Sequence, residues 1–367
     1  MLLPRVKRRH EPHRLDDGTV RIGGEIYGLA SEITDPLGGA WAALSLMDGT
    51  RTPDDIAEII CGSVPGLSAP EAREIVSILI DSGHVEDASA QVPDEISVRE
   101  RDRYGRSQAF FHLVDLTPRP HAWEAQLRLK KARVVVLGLG GTGSHAAWAL
   151  AATGVGRIHC VDADVVELSN LNRQVLYTED DIGRMKVDIA MERLRQLNSD
   201  IEITGESRRV DGEAGLRLLL EDCDVLALCA DEPRGRGLAE GISIWANRVC
   251  ASLGVPWVGG GYNGPLVTVG TFERGRGACF ECLIEGEARR RRPDLPVDLG
   301  GPGVLAISAG ISGQLVAHAV ISLITGVPQP TTGTFLGLNL IAPEHHVWVR
   351  HPPRPDCPVC APSGLTA

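Results

Sequence analysis

One segment constrains the fold more than any other: an apolar run that leads directly into a cluster of glycines. Arg133–Leu137 reads Arg-Val-Val-Val-Leu and predicts a buried strand, and residues 138–143 (Gly-Leu-Gly-Gly-Thr-Gly) follow it. Glycines at 138, 140, 141 and 143 permit a tight turn, and they let backbone N–H groups and a helix N-terminus approach an anion. Strands alternate with amphipathic helices from there onward, which predicts an α/β domain of Rossmann type.

A second strand pattern, Arg157–Val161, ends in an acidic residue, Asp162. An acid at this position can accept hydrogen bonds from the ribose hydroxyls of a nucleotide. The two strands and the glycines by themselves indicate a dinucleotide or an adenine nucleotide. An NAD-dependent oxidoreductase would show the same pattern.

The next segment separates these alternatives. It contains Asp164, residues 169–174 (Ser-Asn-Leu-Asn-Arg-Gln) and Lys186, and a later strand pattern ends in Asp231. Hydride transfer does not need the cations Arg173 and Lys186. A triphosphate does need them, because its charge must be neutralised before a nucleophile can approach, and strand-end acids can hold the accompanying Mg²⁺. The pattern therefore favours ATP with Mg²⁺.

With these motifs the chain resembles the ThiF/MoeB branch of the ubiquitin-activating-enzyme superfamily, over about residues 100–360. The resemblance implies a Rossmann-like domain that uses ATP to activate a carboxylate as its acyl-adenylate. It also implies a set of nucleotide-binding residues: Asp162 for the ribose; Asn170, Arg173 and Lys186 for the phosphates; Asp231, with help from Asp164, for Mg²⁺; and Gln174 with Gly138, Gly140, Gly141 and Gly143 around them.

The family also uses an arginine from an N-terminal helix of the partner subunit. Residues 103–108 (Arg-Tyr-Gly-Arg-Ser-Gln) resemble that segment, so Arg106 is the candidate. An arginine suits this role because its guanidinium is always charged. The resemblance therefore implies a homodimer in which Arg106 acts across the interface, together with Arg173, Lys186 and Asp231 as catalytic residues.

Four of the nine cysteines form two C-x-x-C pairs, Cys279 with Cys282 and Cys357 with Cys360. Each pair can hold one side of a tetrahedral ion, and the two together predict a closed, structural Zn²⁺ site. Its expected role is to pin the C-terminal tail to the domain. We expect the nearby histidines, His345, His346 and His351, to lie in loops or to surround the cysteine ligands without binding the ion themselves.

Superfamily members that make thioesters or persulfides generally place a cysteine beyond the first zinc pair, and residues 283–303 contain none. Cys160, Cys223 and Cys229 fall on or beside predicted strands, and Cys250 falls on a predicted helix. We therefore expect inert core thiols. The chemistry should then end with an adenylate that another nucleophile intercepts.

Residues 1–95 predict a first, small α+β unit. Residues 19–22 and 25–29 flank Gly23-Gly24 and predict a two-residue hairpin. Three helix patterns follow, the second starting at Thr52-Pro53 and the third at Ser68 with Glu71 three residues on. This order indicates a winged-helix domain. Residues 96–125 predict a connector that carries the arginine segment, and residues 126–367 the adenylating domain.

The third predicted helix of residues 1–95 has a net acidic surface, which a phosphate backbone would repel. The net charge of the chain is −11, so nucleic acid is not an expected partner. A winged helix that captures a precursor peptide by strand addition fits better. A structural or dimerising appendage is the alternative.

The N-terminus lacks the apolar stretch of a signal peptide, and C-x-x-C spacing without an export signal indicates metal rather than disulfides. We expect a cytoplasmic enzyme. Residues 304–324 are apolar and long enough to span a membrane, but polar and small residues interrupt them, so we expect a buried helix and no membrane contact.

A winged helix ahead of an adenylating domain resembles peptide-modifying adenylyltransferases of the microcin C type. That resemblance implies ATP-dependent adenylation of a carboxylate on a ribosomally synthesised precursor peptide. Three alternatives stay open at this point: an activator of a sulfur-carrier or ubiquitin-like protein, a non-catalytic leader-binding scaffold for a cyclodehydratase, and an NAD oxidoreductase.

Overall fold

The computed structural model of the chain describes residues 1–26, 28–231, 241–292 and 303–360. It divides into two compact units, Met1–Leu127 and Arg128–Ala367, which we call the first and second units. Each has its own buried apolar core.

The described residues of the first unit form five short strands and four helices, and a fifth helix continues past the Leu127 boundary. The strands are β1 (Pro4–Val6), β2 (His13–Arg14), β3 (Val20–Ile22), β4 (Ser31–Ile33) and β5 (Val85–Asp87), and the helices are α1 (Gly39–Leu46), α2 (Pro53–Ser63), α3 (Ala69–Asp81), α4 (Val98–Val114) and α5 (Glu124–Lys131). β1 pairs with β5, and β3 lies between β2 and β4 in a three-stranded antiparallel sheet.

The helix starts follow from their capping residues. The Thr52 side chain accepts a hydrogen bond from the Asp55 N–H at the start of α2, and Pro53 occupies the first helical position. Ser68 and Glu71 form the capping box of α3. The predicted starts of both helices are confirmed.

The predicted two-residue hairpin is wrong. The second strand of this sheet pair is not at residues 25, 26, 28 and 29, because β3 pairs instead with β4, which begins at Ser31. Gly23 has a positive φ of 91°, and a Cβ there would lie 2.6 Å from the Leu29 carbonyl oxygen. The chain therefore makes a wider turn that folds back on Gly23 before pairing begins. The winged-helix classification of this unit stays a prediction.

Residues 96–125, the predicted connector, contain α4 and belong to the first unit. A capping box of Ser97 and Glu100 begins the helix. Tyr104 and Phe111 are buried on its inner face. A helix with buried aromatic residues is an integral part of its unit rather than a tether.

Within residues 128–231, 241–292 and 303–360, the second unit has one eight-stranded sheet and six helices. The strands are β6 (Arg133–Leu137), β7 (Arg157–Val161), β8 (Glu202–Glu206), β9 (Val225–Leu228), β10 (Trp257–Asn263), β11 (Leu266–Phe272), β12 (Thr334–Asn339) and β13 (His346–Arg350), and the helices are α6 (Gly141–Thr153), α7 (Lys186–Leu197), α8 (Glu213–Leu219), α9 (Ile242–Leu253), α10 (Phe280–Arg290) and α11 (Ala306–Thr325).

The strand order is β13-β12-β11-β10-β9-β6-β7-β8. Strands β10, β9, β6, β7 and β8 are parallel, and β11, β12 and β13 continue the sheet antiparallel. The parallel strands therefore end together on one side of the sheet, which we call the carboxyl edge. The loops that follow β6, β7, β9 and β10 meet there. The predicted Rossmann-like α/β fold is confirmed.

Within the part of the chain that the structure describes, α11 is the helix whose length and composition would allow it to span a membrane. It packs against α6, β10 and β11. Small residues allow this close packing, because a Cβ on Gly313 would overlap His145 and the Thr142 carbonyl of α6. The packing agrees with the predicted buried helix.

Candidate nucleotide-binding site and metal centre

The glycine-rich turn follows β6 at the carboxyl edge. Gly138 has a positive φ of 91°, and a Cβ there would lie 2.5 Å from the Ala230 backbone nitrogen. A Cβ on Gly143 would overlap the Gly138 carbonyl oxygen. Gly138 and Gly143 thus allow the loop after β9 and the first turn of α6 to pack closely on the turn. The N-terminus of α6 is left facing the carboxyl edge, where an anion can bind.

Asp162 follows β7 and holds two loops in place. One carboxylate oxygen accepts a hydrogen bond from the Leu139 N–H at 2.6 Å, and the other accepts one from the Asp164 N–H at 2.8 Å. The side chain is buried. Each carboxylate oxygen has a second lone pair, so Asp162 can also accept hydrogen bonds from a ribose.

Asp164 and Lys186 meet beside Asp162. Lys186 Nζ lies 3.1 Å from Asp164 Oδ2, and the Lys186 N–H donates to the Asp164 carbonyl at 3.0 Å. The Lys186 side chain is 7% exposed and that of Asp164 is 55% exposed. The buried Lys186 side chain thus has a partner, and the exposed side of the Asp164 carboxylate is accessible to a cation.

Residues 169–174 form the neighbouring loop. Asn170 is buried, and its Oδ1 accepts a hydrogen bond from the Glu167 N–H. Arg173 Nη1 donates to the Ser169 carbonyl at 2.8 Å, within the same loop. Gln174 lies against Gly140, with Nε2 3.8 Å from where a Cβ of that glycine would be.

Gln174 Oε1 is a buried acceptor without a hydrogen-bond partner in the described part of the chain. Buried polar atoms in native proteins nearly always have a partner. An orphaned acceptor beside the glycine-rich turn is therefore consistent with a ligand that donates a hydrogen bond, and the residues present fit a nucleotide.

The structure does not bring Asp231 or Arg106 together with these residues. Asp231 is exposed, three residues beyond β9, and it is the last described residue before residues 232–240. Arg106 is exposed on α4 of the first unit. Both roles stay predictions.

Tyr177 is a residue of this site that the sequence did not indicate. Its hydroxyl donates to the Leu139 carbonyl at 3.0 Å from below the glycine-rich turn. Burial raises the pKa of Tyr177 well above its ordinary value. No local pattern marks such a residue, because its contact spans thirty-eight positions of sequence.

The four predicted zinc ligands come together. Cys279 Sγ lies 3.6 Å from Cys357 Sγ, and Cys282 Sγ lies 3.6 Å from Cys360 Sγ. All four sulfur atoms lie within 4.8 Å of one another. Tetrahedral Zn²⁺ with Zn–S distances of about 2.3 Å places its sulfur ligands about 3.8 Å apart. The predicted cysteine cluster is confirmed, and its four thiols fit a structural Zn²⁺.

The surroundings of the cluster suit a closed site. Cys279, Cys282 and Cys357 are buried. The Arg354 N–H points at Cys282 Sγ. His351 Nε2 is 2.7 Å from Glu287 Oε1, so this histidine pairs with a carboxylate rather than with the cysteines.

The ThiF family model matches residues 115–359, most of the chain. The chain belongs to the ThiF family. It is 35% identical over 213 residues to the sulfur carrier protein ThiS adenylyltransferase of Escherichia coli, spanning 57% of this chain and 78% of that protein. It is also 34% identical over 245 residues to an adenylyltransferase and sulfurtransferase MOCS3 of Aedes aegypti, where it spans 65% of this chain and only 52%, about half, of the relative.

Solved structures share the fold of this ThiF-family chain over nearly its whole length. The crystal structure of E. coli MccB superimposes with a TM-score of 0.75 at 20% identity, covering 98% of this chain and 96% of MccB. A structure of PaaA superimposes with a TM-score of 0.65 at 27% identity, covering 94% of this chain and 99% of PaaA. Both likenesses include the first unit.

Membership of the ThiF family confirms three predictions: the ThiF/MoeB branch, the Rossmann-like fold, and an enzyme that activates a carboxylate with ATP. An adenylyltransferase of this family does not need an NAD cofactor. The oxidoreductase alternative is therefore discarded.

Proposed function

We propose that this ThiF-family enzyme binds ATP and Mg²⁺ at the carboxyl edge and transfers AMP to a carboxylate of a ribosomally synthesised precursor peptide. One observation carries the choice of substrate. The fold likeness to MccB covers 98% of this chain, including the first unit, and MccB has been crystallised with the peptide MccA and with the ATP analogue AMPCPP. The curated relatives match a smaller share of the chain.

The residues of the site divide the chemistry between them. Asp162 holds the ribose, the glycine-rich turn and α6 hold phosphates, and Asn170, Arg173 and Lys186 offset the phosphate charge. Asp231, with Asp164, holds Mg²⁺. A carboxylate oxygen attacks the α-phosphorus, the bond to the bridging oxygen breaks, and pyrophosphate leaves with that electron pair. Catalysis is then mainly positioning and charge neutralisation.

The cysteines of the second unit outside the cluster are poor candidates to attack the adenylate. This supports attack by a nucleophile from another molecule. Burial raises the pKa of Cys160 and of Cys229 to about 12, and that of Cys223 to about 11. Burial also raises the pKa of Cys250. A buried thiol with a raised pKa is a poor nucleophile at neutral pH. These residues of the second unit do not offer a thioester-forming cysteine.

For peptide capture, the described three-stranded sheet of the first unit offers two edge strands, β2 and β4, because β3 between them is paired on both sides. Both residues of β2 are exposed, so β4 is the better candidate. β4 pairs only with β3 among the described strands, and its Ile33 packs against the core of the unit. An extended peptide added to β4 would satisfy free backbone groups next to apolar side chains.

The second candidate substrate is a sulfur-carrier protein. The favouring observation is the 35% identity to the ThiS adenylyltransferase, of which this chain covers 78%. That alignment covers 57% of this chain, so it leaves much of the chain without a counterpart. A sulfur-carrier activator shares the ATP site but has no evident need for a separate peptide-binding unit.

ATP–pyrophosphate exchange tests the choice. The full chain is incubated with ATP, Mg²⁺ and ³²P-pyrophosphate, and with either short peptides encoded beside its gene or a small carrier protein. We expect exchange to require a peptide with a free carboxylate, and an amidated copy of that peptide to be inactive. Exchange with the carrier protein and with none of the peptides would contradict the proposal and favour the second candidate.

A further inference from the structure

Gly141, the first residue of α6, is a glycine for a reason other than backbone conformation. It is not among the glycines with positive φ. A Cβ built on it would lie 3.1 Å from Tyr262 Cζ and closer still to the Tyr262 hydroxyl oxygen, nearer than real Cβ atoms approach their neighbours. The phenol ring of Tyr262 therefore occupies the space beside Gly141.

Tyr262 lies on β10, which is separated from β6 by one strand, β9. It lies near the end of β10, which runs parallel to β9 and finishes at the carboxyl edge. Gly260 is two residues earlier on the same face, and a Cβ there would meet Val316 and Ser312 of α11. The ring of Tyr262 thus stands on the face of the sheet that α6 and α11 cover.

The Tyr262 hydroxyl makes no hydrogen bond to the described part of the chain, and its side chain is only partly buried. Tyr177, on the opposite side of the same turn, donates its hydroxyl proton to the Leu139 carbonyl. One tyrosine supports the turn, and the other presents a donor at its open side.

We propose that Tyr262 is a phosphate-binding residue, whose hydroxyl donates a hydrogen bond to the phosphate of ATP seated at the N-terminus of α6. This inference rests on the proposed ATP site. The chemistry at that point favours an anion, because the first N–H groups of α6 and the phenol O–H are all donors that converge beside Gly141. A hydrogen bond from a neutral donor to a charged acceptor is among the stronger kinds.

The position along the carboxyl edge supports a phosphate rather than the ribose. From β7 to β10 the edge carries Asp162, then the glycine-rich turn, then the loop that leads to Asp231, then Tyr262. Asp162 is the ribose acceptor of the proposed site. Tyr262 is two strands beyond β6, which carries the turn, on the side of the turn away from Asp162.

The test uses Tyr262→Phe in the full chain, which removes one oxygen and keeps the ring. Calorimetric titration with Mg²⁺-ATP and with adenosine, without any peptide, measures both affinities. We expect the Kd for ATP to rise about tenfold or more, as for loss of a hydrogen bond to a charged group, and the Kd for adenosine to stay unchanged. Thermal melting of the variant checks that the fold is intact.

Gly141→Ala supplies the matched measurement. Its methyl group would collide with the Tyr262 hydroxyl, so we expect a loss of ATP affinity in the wild-type background. In Tyr262→Phe the obstructing oxygen is absent, so the same methyl group should reduce the affinity for ATP clearly less than it does in the wild type. Equal costs in the two backgrounds would mean that the hydroxyl and Gly141 do not share the phosphate site.

An unchanged Kd for ATP in Tyr262→Phe would overturn the inference. If the KM for the peptide rises in the same variant, the hydroxyl binds the substrate carboxylate instead. Failure of the proposed function looks different, because the wild-type chain itself would then show no ATP binding or no peptide-dependent exchange.

Discussion

Lys7, His10 and His84 form a buried polar cluster in the first unit. His10 Nε2 lies 2.8 Å from the Leu113 carbonyl, and His10 Nδ1 lies 2.9 Å from His84 Nδ1. A carbonyl only accepts, so His10 carries its proton on Nε2 and accepts at Nδ1 from His84. The neutral pair is fully satisfied, and a proton added to His10 Nδ1 would face the His84 donor.

The pair predicts that acid destabilises the first unit. Burial, the neighbouring His10 and Lys7 lower the pKa of His84 to about 4. An unfolded histidine has a pKa of about 6.5, so as pH falls from 6.5 toward 4 the unfolded chain binds a proton that the folded chain does not. Between pH 7.5 and 5 we expect His84 to cost about 1–2 kcal/mol of unfolding free energy.

Urea unfolding at the two pH values measures the effect. In His84→Asn the amide N–H can replace the Nδ1–H donor without titrating, so this variant should lose less stability on acidification than the wild type. His13→Asn, at an exposed position of β2, is the control and should behave like the wild type. Equal pH dependence of the wild type and His84→Asn would contradict the assignment.

The residues that the sequence identified are those whose chemistry is written locally. A strand followed by glycines predicts Gly138 and Gly143 as turn residues, and a strand-end acid predicts Asp162. The resemblance indicated Gln174, but the lack of a partner for its side-chain carbonyl depends on what packs beside Gly140. Tyr262 could not be predicted, because its position depends on which strand neighbours β9. The ion pair of Lys186 with Asp164 also depends on tertiary packing.

At the scale of elements, the cysteine cluster joins a helix to the chain that follows the last strand. Cys279 is the N-cap of α10, and Cys357 lies beyond β13. Arg354 also pairs with Glu285 of α10. Without a metal, the described part of this tail is held by the Arg354–Glu285 ion pair and by the packing of Cys357 and Val359 against the core. A bound ion would add most of the stability of the junction.

Cys357→Ser should therefore weaken the tail. Structural Zn²⁺ binding is worth roughly 10–16 kcal/mol in isolated zinc-finger peptides, and a domain with its own core loses less than this. We expect one zinc per wild-type chain by elemental analysis, a large loss of zinc in the variant and a clearly lower Tm. Cys61→Ser, on α2 outside the cluster, is the control. A metal-free preparation with an unchanged Tm would refute the site.

Helices were easier to predict than the small strands. Capping residues such as Thr52 and Ser68 act on their own helix, so a short window of sequence contains the signal. The strands of the first unit have two or three residues each, and β4 is chosen by pairing with β3 rather than by its own pattern. Gly23-Gly24 indicated a turn correctly, but only tertiary contact with Leu29 sets its length.

At the scale of the whole molecule, the chain divides into two compact units at Leu127, close to the predicted start of the adenylating domain at residue 126, and residues 96–125 belong to the first of them. The Leu113 carbonyl accepts from His10, and the Asp115 carbonyl accepts from Lys7 at 2.6 Å. If the chain were cut at residue 95, Lys7 and His10 in the N-terminal fragment would lose these partners, and the remaining fragment would expose Phe111. Any truncation of the first unit should therefore remove α4 as well, and with it Arg106.

That coupling makes point variants the better test of Arg106. In the homodimer that the family resemblance implies, one subunit would supply Asp231 and its partner would supply Arg106 to the same site. Arg106→Ala and Asp231→Asn should each abolish pyrophosphate exchange, since the phosphates lose a cation in one and Mg²⁺ loses an anionic ligand in the other. A heterodimer of the two variants would contain one site with both residues intact.

Mixing the two variants under conditions that exchange subunits decides between action in trans and in cis. Random pairing makes half of the dimers mixed, each with one complete site, so exchange should return to about a quarter of the wild-type rate. Lys186→Ala mixed with Asp231→Asn is the matched control, because both residues lie in the second unit of the same chain. If each site draws both residues from one chain, no mixed dimer of these two variants contains a complete site, and no activity should return. Native mass spectrometry of differently tagged chains verifies that subunits have exchanged. If mixed dimers form and Arg106→Ala is not complemented, Arg106 acts within its own chain or has no part in the reaction.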